Sequence, residues 1–260
     1  MRFVKPKKYL GQHFLKDTSI AEQIVNSLKD EKNILEIGPG TGILTKFLIK
    51  KNCNLKLVEI DDESVEFLIN ELKINQDIIF QCDFLKLDLK GLFKNDTYSI
   101  IGNFPYNISS QIVFKIIENR EFIDKMCGMF QYEVAERICE KEGSKKYGIL
   151  SVLTQVFYDT KFLFEVSNRF FTPPPKVNSA VILLKRKKNY NLCCDEKLFF
   201  KIVKLSFQQR RKTIRNSLKQ IKLSNNLREH SIFDNRPEQL SVNQFIDLTN
   251  LVNEDLKTLS

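Results

Sequence analysis

The first hundred residues alternate short apolar runs with amphipathic stretches. Four short β-prone runs predict strands at residues 33–37, 55–60, 78–82 and 98–101. Apolar residues that recur every three or four positions predict helices at residues 18–28, 43–49 and 64–72, the first of them capped by Asp17 or Thr18. Strands that alternate with helices indicate a mostly parallel, doubly wound sheet, in which ligands bind beyond the carboxyl ends of the strands.

The pattern changes in the second half of the chain. Helices are predicted at residues 110–117 and 129–139, residues 148–158 are ambiguous, and an alternating run predicts a final strand at residues 179–184. Four basic residues follow at 185–188, and from residue 195 onward the chain has no glycine and several amphipathic segments. We therefore expect an α/β domain at residues 1–188 and a small all-α domain at residues 189–260.

The amino-acid composition says more about the binding partners of the chain than about its fold. The net charge of +9 favours a polyanionic partner, although many proteins are basic without one. Six cysteines without metal-site or disulfide-framework spacing, and only two histidines, argue against a metal centre and indicate reduced thiols. Neither a secretory signal nor an apolar run of the roughly 18 residues that a membrane span needs is visible, so the sequence predicts a soluble, cytoplasmic protein.

A glycine-rich turn follows the first predicted strand. Gly38, Gly40 and Gly42 stand between a strand and a helix, where backbone can approach a ligand closely, although a structural tight turn would look the same. Glu59 ends the next strand, where a carboxylate can accept hydrogen bonds from ribose hydroxyls or can simply be solvated. Asp83 ends the third strand and suits either an acceptor for the cofactor adenine amine or an Asx turn.

Two nucleoside cofactors compete for this turn. The dinucleotide fingerprint needs Gly-x-Gly-x-x-Gly, whereas the third glycine here comes one residue early and Ile43 follows it. The pattern at residues 36–42 instead resembles the first motif of S-adenosylmethionine methyltransferases. With Gly38, Glu59, Asp83 and Asn103 at four successive strand ends, we expect a Rossmann-like class I methyltransferase sheet that binds S-adenosylmethionine.

The hexapeptide at residues 102–107 follows the fourth strand and suits a flat base that carries an exocyclic amine. The Asn103 side-chain oxygen and the Phe104 carbonyl can accept from an adenine N6 and draw it toward tetrahedral geometry, so no strong base is needed. Pro105 fixes the turn, and Tyr106 offers a ring on which the base stacks and which favours positive charge on N6. An Asn-x-Pro-Tyr turn can also be purely structural, but its position after a methyltransferase turn favours methyl transfer to adenine.

Six motifs occur in order along nearly the whole chain. They are Tyr-Leu-Gly-Gln-His-Phe-Leu at 9–15, Glu-Ile-Gly-Pro-Gly-Thr-Gly at 36–42, Val-Glu-Ile-Asp at 58–61, Gly-Asn-Phe-Pro-Tyr-Asn at 102–107, Phe-Thr-Pro-Pro-Pro-Lys-Val at 171–177 and Gln-Arg-Arg-Lys-Thr-Ile-Arg-Asn at 209–216. Together they resemble the ribosomal RNA adenine N6,N6-dimethyltransferases. The resemblance is to the bacterial enzymes that modify two neighbouring adenosines near the 3′ end of small-subunit (16S) rRNA.

The resemblance assigns roles to individual residues. It implies that Gln12, His13 and Leu15 line the methionine end of the cofactor. It implies that Gly38, Gly40, Glu59 and Asp83 hold the rest of the cofactor and that Asn103 lies at the transferring methyl group. Phe171 resembles an aromatic residue that sandwiches the flipped target base, and a core phenylalanine is an equal alternative.

Two positions depart from the family pattern. His13 stands where members usually carry Asn, and Phe104 where they usually carry Leu. His13 can still donate or accept a hydrogen bond, and its charge state would make cofactor binding pH-sensitive. Phe104 is expected to contribute only its carbonyl, so its side chain should be tolerated.

The segment of residues 204–222, on predicted helices, carries several basic side chains and no acidic ones. Because it carries no acid, contact with RNA phosphates is favoured over a merely solvated face. Its proposed RNA-binding residues are Arg210, Arg211, Lys212 and Arg215. Such contacts position RNA, while RNA shape and an extruded base select the target.

The leading function is dimethylation of small-subunit rRNA within an immature ribosomal subunit, by a monomer. Three alternatives remain open at this point. The related large-subunit rRNA methyltransferases that confer macrolide resistance lack the Gly-Pro-Gly-Thr-Gly turn and the Phe-Thr-Pro-Pro-Pro-Lys-Val pattern in this form. A non-catalytic assembly factor could use the same basic surface, and a DNA adenine methyltransferase is disfavoured by the C-terminal pattern.

Overall fold

The computed structural model describes residues 4–94, 96–189 and 191–259. Contacts divide the chain into two units, one of Met1–Ala135 with Thr160–Arg186 and one of Glu136–Asp159 with Lys187–Ser260. The chain passes between the units three times, and the third passage, after Arg186, lies two residues before the domain boundary that the sequence predicts. Residues 136–159, which the sequence assigned to the first domain, instead group with the C-terminal helices, and the Gly143 N–H donates to the Glu238 carbonyl at 2.7 Å.

The first unit is built on a sheet of seven strands within the described residues. The strands of the chain are β1 (Phe14–Leu15), β2 (Asn33–Ile37), β3 (Asn54–Glu59), β4 (Ile79–Gln81), β5 (Tyr98–Asn103), β6 (Ile123–Gln131), β7 (Tyr158–Val166), β8 (Phe171–Thr172) and β9 (Ser179–Arg186). The order in the large sheet is β4-β3-β2-β5-β6-β9-β7, and β1 pairs with β8 in a separate antiparallel ribbon.

Strands β2 to β6 all pair in parallel, and β9 adds to β6 in the antiparallel direction. The chain runs outward from β2 to β4 on one side and from β5 to β6 on the other. The connections therefore reverse between β2 and β5, and the switch point opens a crevice at the carboxyl ends of these strands. This topology, with the helical C-terminal part, confirms the α/β fold class.

Helices accompany the strands in both units. Those with residues in the first unit are α1 (Thr18–Asn26), α2 (Thr45–Leu48), α3 (Asp62–Asn70), α4 (Ser109–Glu118) and α5 (Tyr132–Cys139), of which α5 continues into the second unit. Asp17 caps α1 by accepting from the Ile20 N–H at 3.0 Å, which decides between the two predicted caps. Strand β5 is buried from Tyr98 to Gly102, in keeping with the near-continuous apolar run of a central parallel strand.

Part of one predicted helix is strand in the structure. The sequence favoured a helix over residues 129–139, but β6 extends to Gln131 and α5 begins only at Tyr132. Because β6 lies between two neighbouring strands and Met126–Phe130 are buried, both of its faces carry apolar residues and it lacks the alternation of a half-exposed strand.

The second unit is helical. Its helices after α5 are α6 (Ile149–Gln155), α7 (Glu196–Gln208), α8 (Ile214–Ser217), α9 (Asn225–Glu229) and α10 (Val242–Thr258). Helix α7 packs on α6, α8 and α10, and Phe199, Val203, Phe245 and Leu248 are fully buried. No helix among the described residues is long and apolar enough to cross a membrane.

Candidate active site

A cavity lies at the carboxyl ends of β2, β3 and β5, where the sequence predicted ligand binding. Most of the predicted site residues line it. They are Gln12, His13, Gly38, Gly40, Glu59, Asp83, Asn103, Phe104, Pro105 and Tyr106. The topology thus brings together four strand ends that are widely separated in sequence.

The glycine turn after β2 forms one wall of this cavity. Gly38, Gly40 and Gly42 have φ values of +63°, +55° and +71°, a conformation that side chains rarely adopt. At Gly40 a Cβ atom would also lie 2.8 Å from the ring of Phe14. At Gly42 a Cβ atom would lie 2.3 Å from the Leu72 side chain. The turn is therefore left-handed at three positions and closely covered at two, so its glycines are required by geometry.

Glu59 at the end of β3 is buried, with 4% of its surface exposed, so the solvated alternative is wrong. Its Oε2 accepts from the Gly40 N–H at 2.9 Å, and its Oε1 accepts from the N–H groups of Ile60 at 2.9 Å and Asp61 at 3.0 Å. Burial raises the pKa of Glu59, and the backbone hydrogen bonds partly offset that rise. The carboxyl is thus fixed beside the glycine turn, where ribose hydroxyls can donate to it.

Asp83 forms the Asx turn that the sequence offered as one alternative, and its role as an acceptor for the cofactor adenine amine stays a prediction. Its Oδ1 accepts from the Leu85 N–H at 2.9 Å, which is an Asx turn that starts the 3-10 helix Phe84–Lys86. Asp83 is also half-buried and lines the cavity. The turn therefore orients a carboxylate at the place where an adenine amine would need an acceptor.

Asn103 is held by a hydrogen bond that settles which way its amide faces. Its Nδ2 donates to the His13 carbonyl oxygen at 2.8 Å. A carbonyl can only accept, so the nitrogen must occupy this side of the amide. The Asn103 oxygen is consequently the amide atom that His13 leaves available to accept, and the residue lines the cavity.

The Phe104 side chain points into the core. It is 1% exposed, packs edge-on against Phe130 at 5.1 Å between ring centroids, and covers two glycines. A Cβ at Gly128 on β6 would lie 2.1 Å from the ring, and one at Gly102 would lie 2.7 Å from it. The structure tolerates Phe104 because the neighbouring strand carries glycine opposite its ring.

Tyr106 and His13 form an aromatic pair in the cavity. Their ring centroids lie 5.3 Å apart at 30°, and the Tyr106 hydroxyl hydrogen-bonds the Ser179 hydroxyl. Burial raises the pKa of Tyr106. His13 Nδ1 lies 2.8 Å from the Pro173 carbonyl, so this nitrogen carries a proton and donates. The pH-sensitivity expected from His13 stays a prediction.

Two residues predicted from the family resemblance, Leu15 and Phe171, lie outside the cavity, whereas Gln12 lies in it with its amide engaged by other residues. Leu15 and Phe171 are register partners in the β1–β8 ribbon, and both are buried in the hydrophobic core. Neither is among the described residues that line the cavity, so Phe171 follows its core alternative. Gln12 lines the cavity, but its amide oxygen accepts from the Lys7 N–H at 2.8 Å and its nitrogen donates to Asp61 at 2.9 Å.

Two residues of the site were not singled out from the sequence. Phe14 lines the cavity against Gly40, and only its position between His13 and Leu15 pointed to it. Glu36 was noted merely as the first letter of the glycine motif. Its carboxyl is fully buried in β2, accepts from the Thr45 hydroxyl at 2.8 Å and lies near Glu59. Burial raises the pKa of Glu36 to about 8, so it is a neutral acid at pH 7.

The basic residues of the segment in the second unit differ in their exposure and in their hydrogen-bond partners. Arg210, Arg211 and Lys212 lie in the turn between α7 and α8, not on a helix, because Lys212 N–H closes a turn on the Gln209 carbonyl at 2.7 Å. Arg210 donates to the Ser144 carbonyl at 3.2 Å. Arg215 on α8 pairs with Asp234, and its guanidinium also donates to a backbone carbonyl. Arg211 and Lys212 are exposed.

Comparison with known proteins identifies the family of the chain. A family model described as ribosomal RNA adenine dimethylase matches residues 4–254. A protein of Flavobacterium johnsoniae called ribosomal RNA small subunit methyltransferase A is 59% identical over 98% of both chains. One of the same name from Bacteroides thetaiotaomicron is 53% identical over 99% of this chain and 98% of its own.

Solved structures show a similar fold. A dimethyladenosine transferase from Plasmodium falciparum has a TM-score of 0.80 at 24% identity, over 94% of this chain and 98% of its own. The 23S rRNA methyltransferase ErmE has a TM-score of 0.68 at 24% identity, over 91% of this chain and 99% of its own. Since the family model spans nearly every residue of the chain and the relatives match it end to end, the chain belongs to the ribosomal RNA adenine dimethylase family.

Proposed function

We propose that this protein transfers methyl groups from S-adenosylmethionine to N6 of two adjacent adenosines near the 3′ end of small-subunit (16S) rRNA. The product is N6,N6-dimethyladenosine. The names of the relatives from Flavobacterium and Bacteroides support the choice of the small subunit. We further propose that it acts on an immature ribosomal subunit, as a monomer and in the cytoplasm.

The observation that carries this proposal is the orientation of Asn103. With Nδ2 engaged by the His13 carbonyl, the amide oxygen is left to accept a hydrogen bond from an exocyclic amine. Adenine N6 is a weak nucleophile because its lone pair is delocalised into the ring. Hydrogen bonds accepted by Asn103 and by the Phe104 carbonyl would localise that lone pair on N6. Holding the amine and the methyl group in line would lower the activation free energy further, by about 7–11 kcal/mol at most.

The remaining cavity residues suit the cofactor, which supplies an electrophilic methyl group when bound. Gly38 and Gly40 allow close approach of the backbone. Glu59 presents a fixed carboxyl to the ribose, and Asp83 presents one to the adenine amine. Tyr106, with its hydroxyl held by Ser179, would stack the target base and favour positive charge on N6.

Methyl-transfer assays test the proposed target. The purified protein, given labelled S-adenosylmethionine, should label immature small subunits, and mass analysis should find two adjacent dimethyladenosines in their rRNA. A strain that lacks the protein should lack both modifications. Labelling of naked large-subunit RNA, with none of small subunits, would instead support the macrolide-resistance type of activity and overturn the proposal.

A further inference from the structure

The segment Lys7–Phe14, here called the strap, runs along the cofactor cavity. Five of its residues, Leu10 to Phe14, line the cavity. One end continues into β1, which pairs with β8 through Phe14 and Thr172. The strap is therefore both a wall of the cavity and a connection between separate parts of the first unit.

The middle of the strap is bound to the loop that follows β5. The His13 carbonyl accepts from Asn103, and the Tyr9 carbonyl accepts from Asn107 Nδ2 at 3.4 Å. Gly11, at a φ of +66°, lies so close to Asn107 that a Cβ would stand 2.6 Å from its side-chain oxygen. The hydrogen bond between His13 and Asn103 couples the position of the strap to Asn103, the residue at which methyl transfer is proposed.

The other end of the strap is bound to Asp61, which follows β3 and caps α3. The Asp61 carboxylate pairs with Lys7 Nζ and accepts from Gln12 Nε2 at 2.9 Å. Within its own helix, it also accepts from the Ser64 hydroxyl at 3.0 Å and the Glu63 N–H at 3.3 Å. Its side chain is fully buried, whereas that of Lys7 is 22% exposed.

The arrangement makes Asp61 the anchor of a closed ring of interactions. Gln12 Oε1 accepts from the Lys7 N–H at 2.8 Å, so both strap residues hold each other and the same carboxylate. Burial raises the pKa of Asp61, but the hydrogen bonds from Gln12, Lys7 and Ser64 outweigh it and hold that pKa below its usual value. The charged form of Asp61 is thus the one that the strap stabilises.

We propose that Asp61 is a positioning residue for cofactor binding, which holds the strap closed over the cavity through Lys7 and Gln12. Asp61 and Lys7 are not among the described residues that line the cavity, so their effect reaches the cofactor only through the strap. The inference takes its cofactor from the proposed function and is independent of the rRNA target. Releasing the strap should therefore speed cofactor dissociation and leave the methyl-transfer step itself little changed.

The test measures binding of S-adenosylhomocysteine by calorimetry and its dissociation by stopped flow, without RNA. Asp61→Asn keeps the Oδ1 that accepts from the Glu63 N–H, but its amide nitrogen cannot accept from Gln12. It also removes the charge that pairs with Lys7 and leaves Glu63, 3.4 Å from Lys7 Nζ, as the remaining carboxylate there. We expect it to weaken binding about tenfold, through faster dissociation, which is the usual scale for loss of a charge-assisted hydrogen bond. Lys7→Met should weaken binding in the same direction, and the double variant should be no worse than the poorer single one.

Asp62→Asn is the matched control, because Asp62 is the neighbouring exposed carboxylate and its Oδ1 accepts from Gln81 Nε2 at 2.7 Å, away from the strap. It should bind as the unaltered protein does. In methylation assays, Asp61→Asn should raise KM for the cofactor while kcat changes less than about threefold. Unchanged affinity in both Asp61→Asn and Lys7→Met, or a fall in kcat at unchanged KM, would overturn the inference.

The same measurements separate this inference from the proposed function. If the unaltered protein fails to bind S-adenosylhomocysteine, the cofactor assignment itself is wrong. If it binds and Asp61→Asn binds equally well, only the role of Asp61 fails. Thermal unfolding of each variant, which should stay within a few degrees of the unaltered protein, distinguishes release of the strap from loss of fold.

Discussion

The cavity edge of the first unit and the basic turn of the second hold their polar groups in opposite ways. In the cavity, Glu59 and Asn103 are each fixed by backbone partners. In the basic turn, Arg211 and Lys212 are exposed, while Arg210 is tied to the Ser144 carbonyl. The difference suits two kinds of ligand, since a small cofactor and one target amine need fixed placement, whereas an RNA backbone needs charge that can adapt.

Loss of a fixed cavity group should have the largest effect. Asn103→Ala removes the acceptor proposed to face the target amine, and we expect methyl transfer to fall by about 100-fold or more, as for other groups that stabilise a transition state. Binding of small subunits, measured by sedimentation, should persist. An equal loss of subunit binding would show that the site and the RNA-binding surface are not separate functions.

Packing beneath the cavity should be nearly as sensitive. Gly128→Ala places a Cβ against the Phe104 ring, so we expect about 1–3 kcal/mol of destabilisation together with reduced activity. Urea unfolding and methylation assays measure the two effects. Adding Phe104→Leu should recover part of both, and a double variant no better than Gly128→Ala would argue against direct contact as the cause.

Glu36, the buried acid in the strand before the glycine turn, should make the stability of the protein depend on pH. The pKa of Glu36 rises to about 8 in the folded protein, so its proton is retained there and lost on unfolding. The contribution of Glu36 to the free energy of unfolding is fully present below its pKa in the unfolded chain, near 4.5, and is lost as the pH rises to about 8. Glu36→Gln should therefore be more stable than the unaltered protein at pH 8.5, by about 1–3 kcal/mol, and lose this advantage near pH 4.5.

The basic turn should give the smallest change per residue. Arg211→Ala with Lys212→Ala should weaken RNA binding several-fold at physiological salt and lower the salt slope of log K by about 0.9 for each phosphate that is no longer neutralised. Filter binding at several salt concentrations measures this slope. Arg215→Ala is the informative contrast, because it removes the hydrogen bond to the Arg228 carbonyl as well as the largely exposed pair with Asp234, so we expect it to lower the stability of the second unit. An unchanged slope in the double variant would remove these two residues from the RNA-binding surface.

The sequence located the cavity well because the relevant signals are local. Each of the strands β2, β3 and β5 ends in or is followed by a polar or glycine residue, and topology alone brings those ends together, as at Gly38, Glu59 and Asn103. Asp17 capping and the extent of β2 were equally local. Strand β6 was missed because burial on both faces removes the alternation on which such a prediction rests.

Other features depend on partners that are distant in sequence. Leu15 and Phe171 were given cofactor and base contacts by resemblance, yet their pairing across the β1–β8 ribbon buries both. The engagement of Gln12 by Asp61 could not be read from either motif alone. Likewise, a run of basic letters does not reveal that Arg215 faces Asp234 while Arg211 faces solvent.

The pairing of β1 with β8 has a consequence for synthesis of the protein. His13 and the Pro173 carbonyl that it binds are 160 positions apart. A chain still emerging from the ribosome can form β2 to β5 early, but the strap has no β8 to hold it until residue 172 has left the exit tunnel. The nascent chain should therefore gain a complete cofactor cavity only late in translation, after most of its polypeptide has been made.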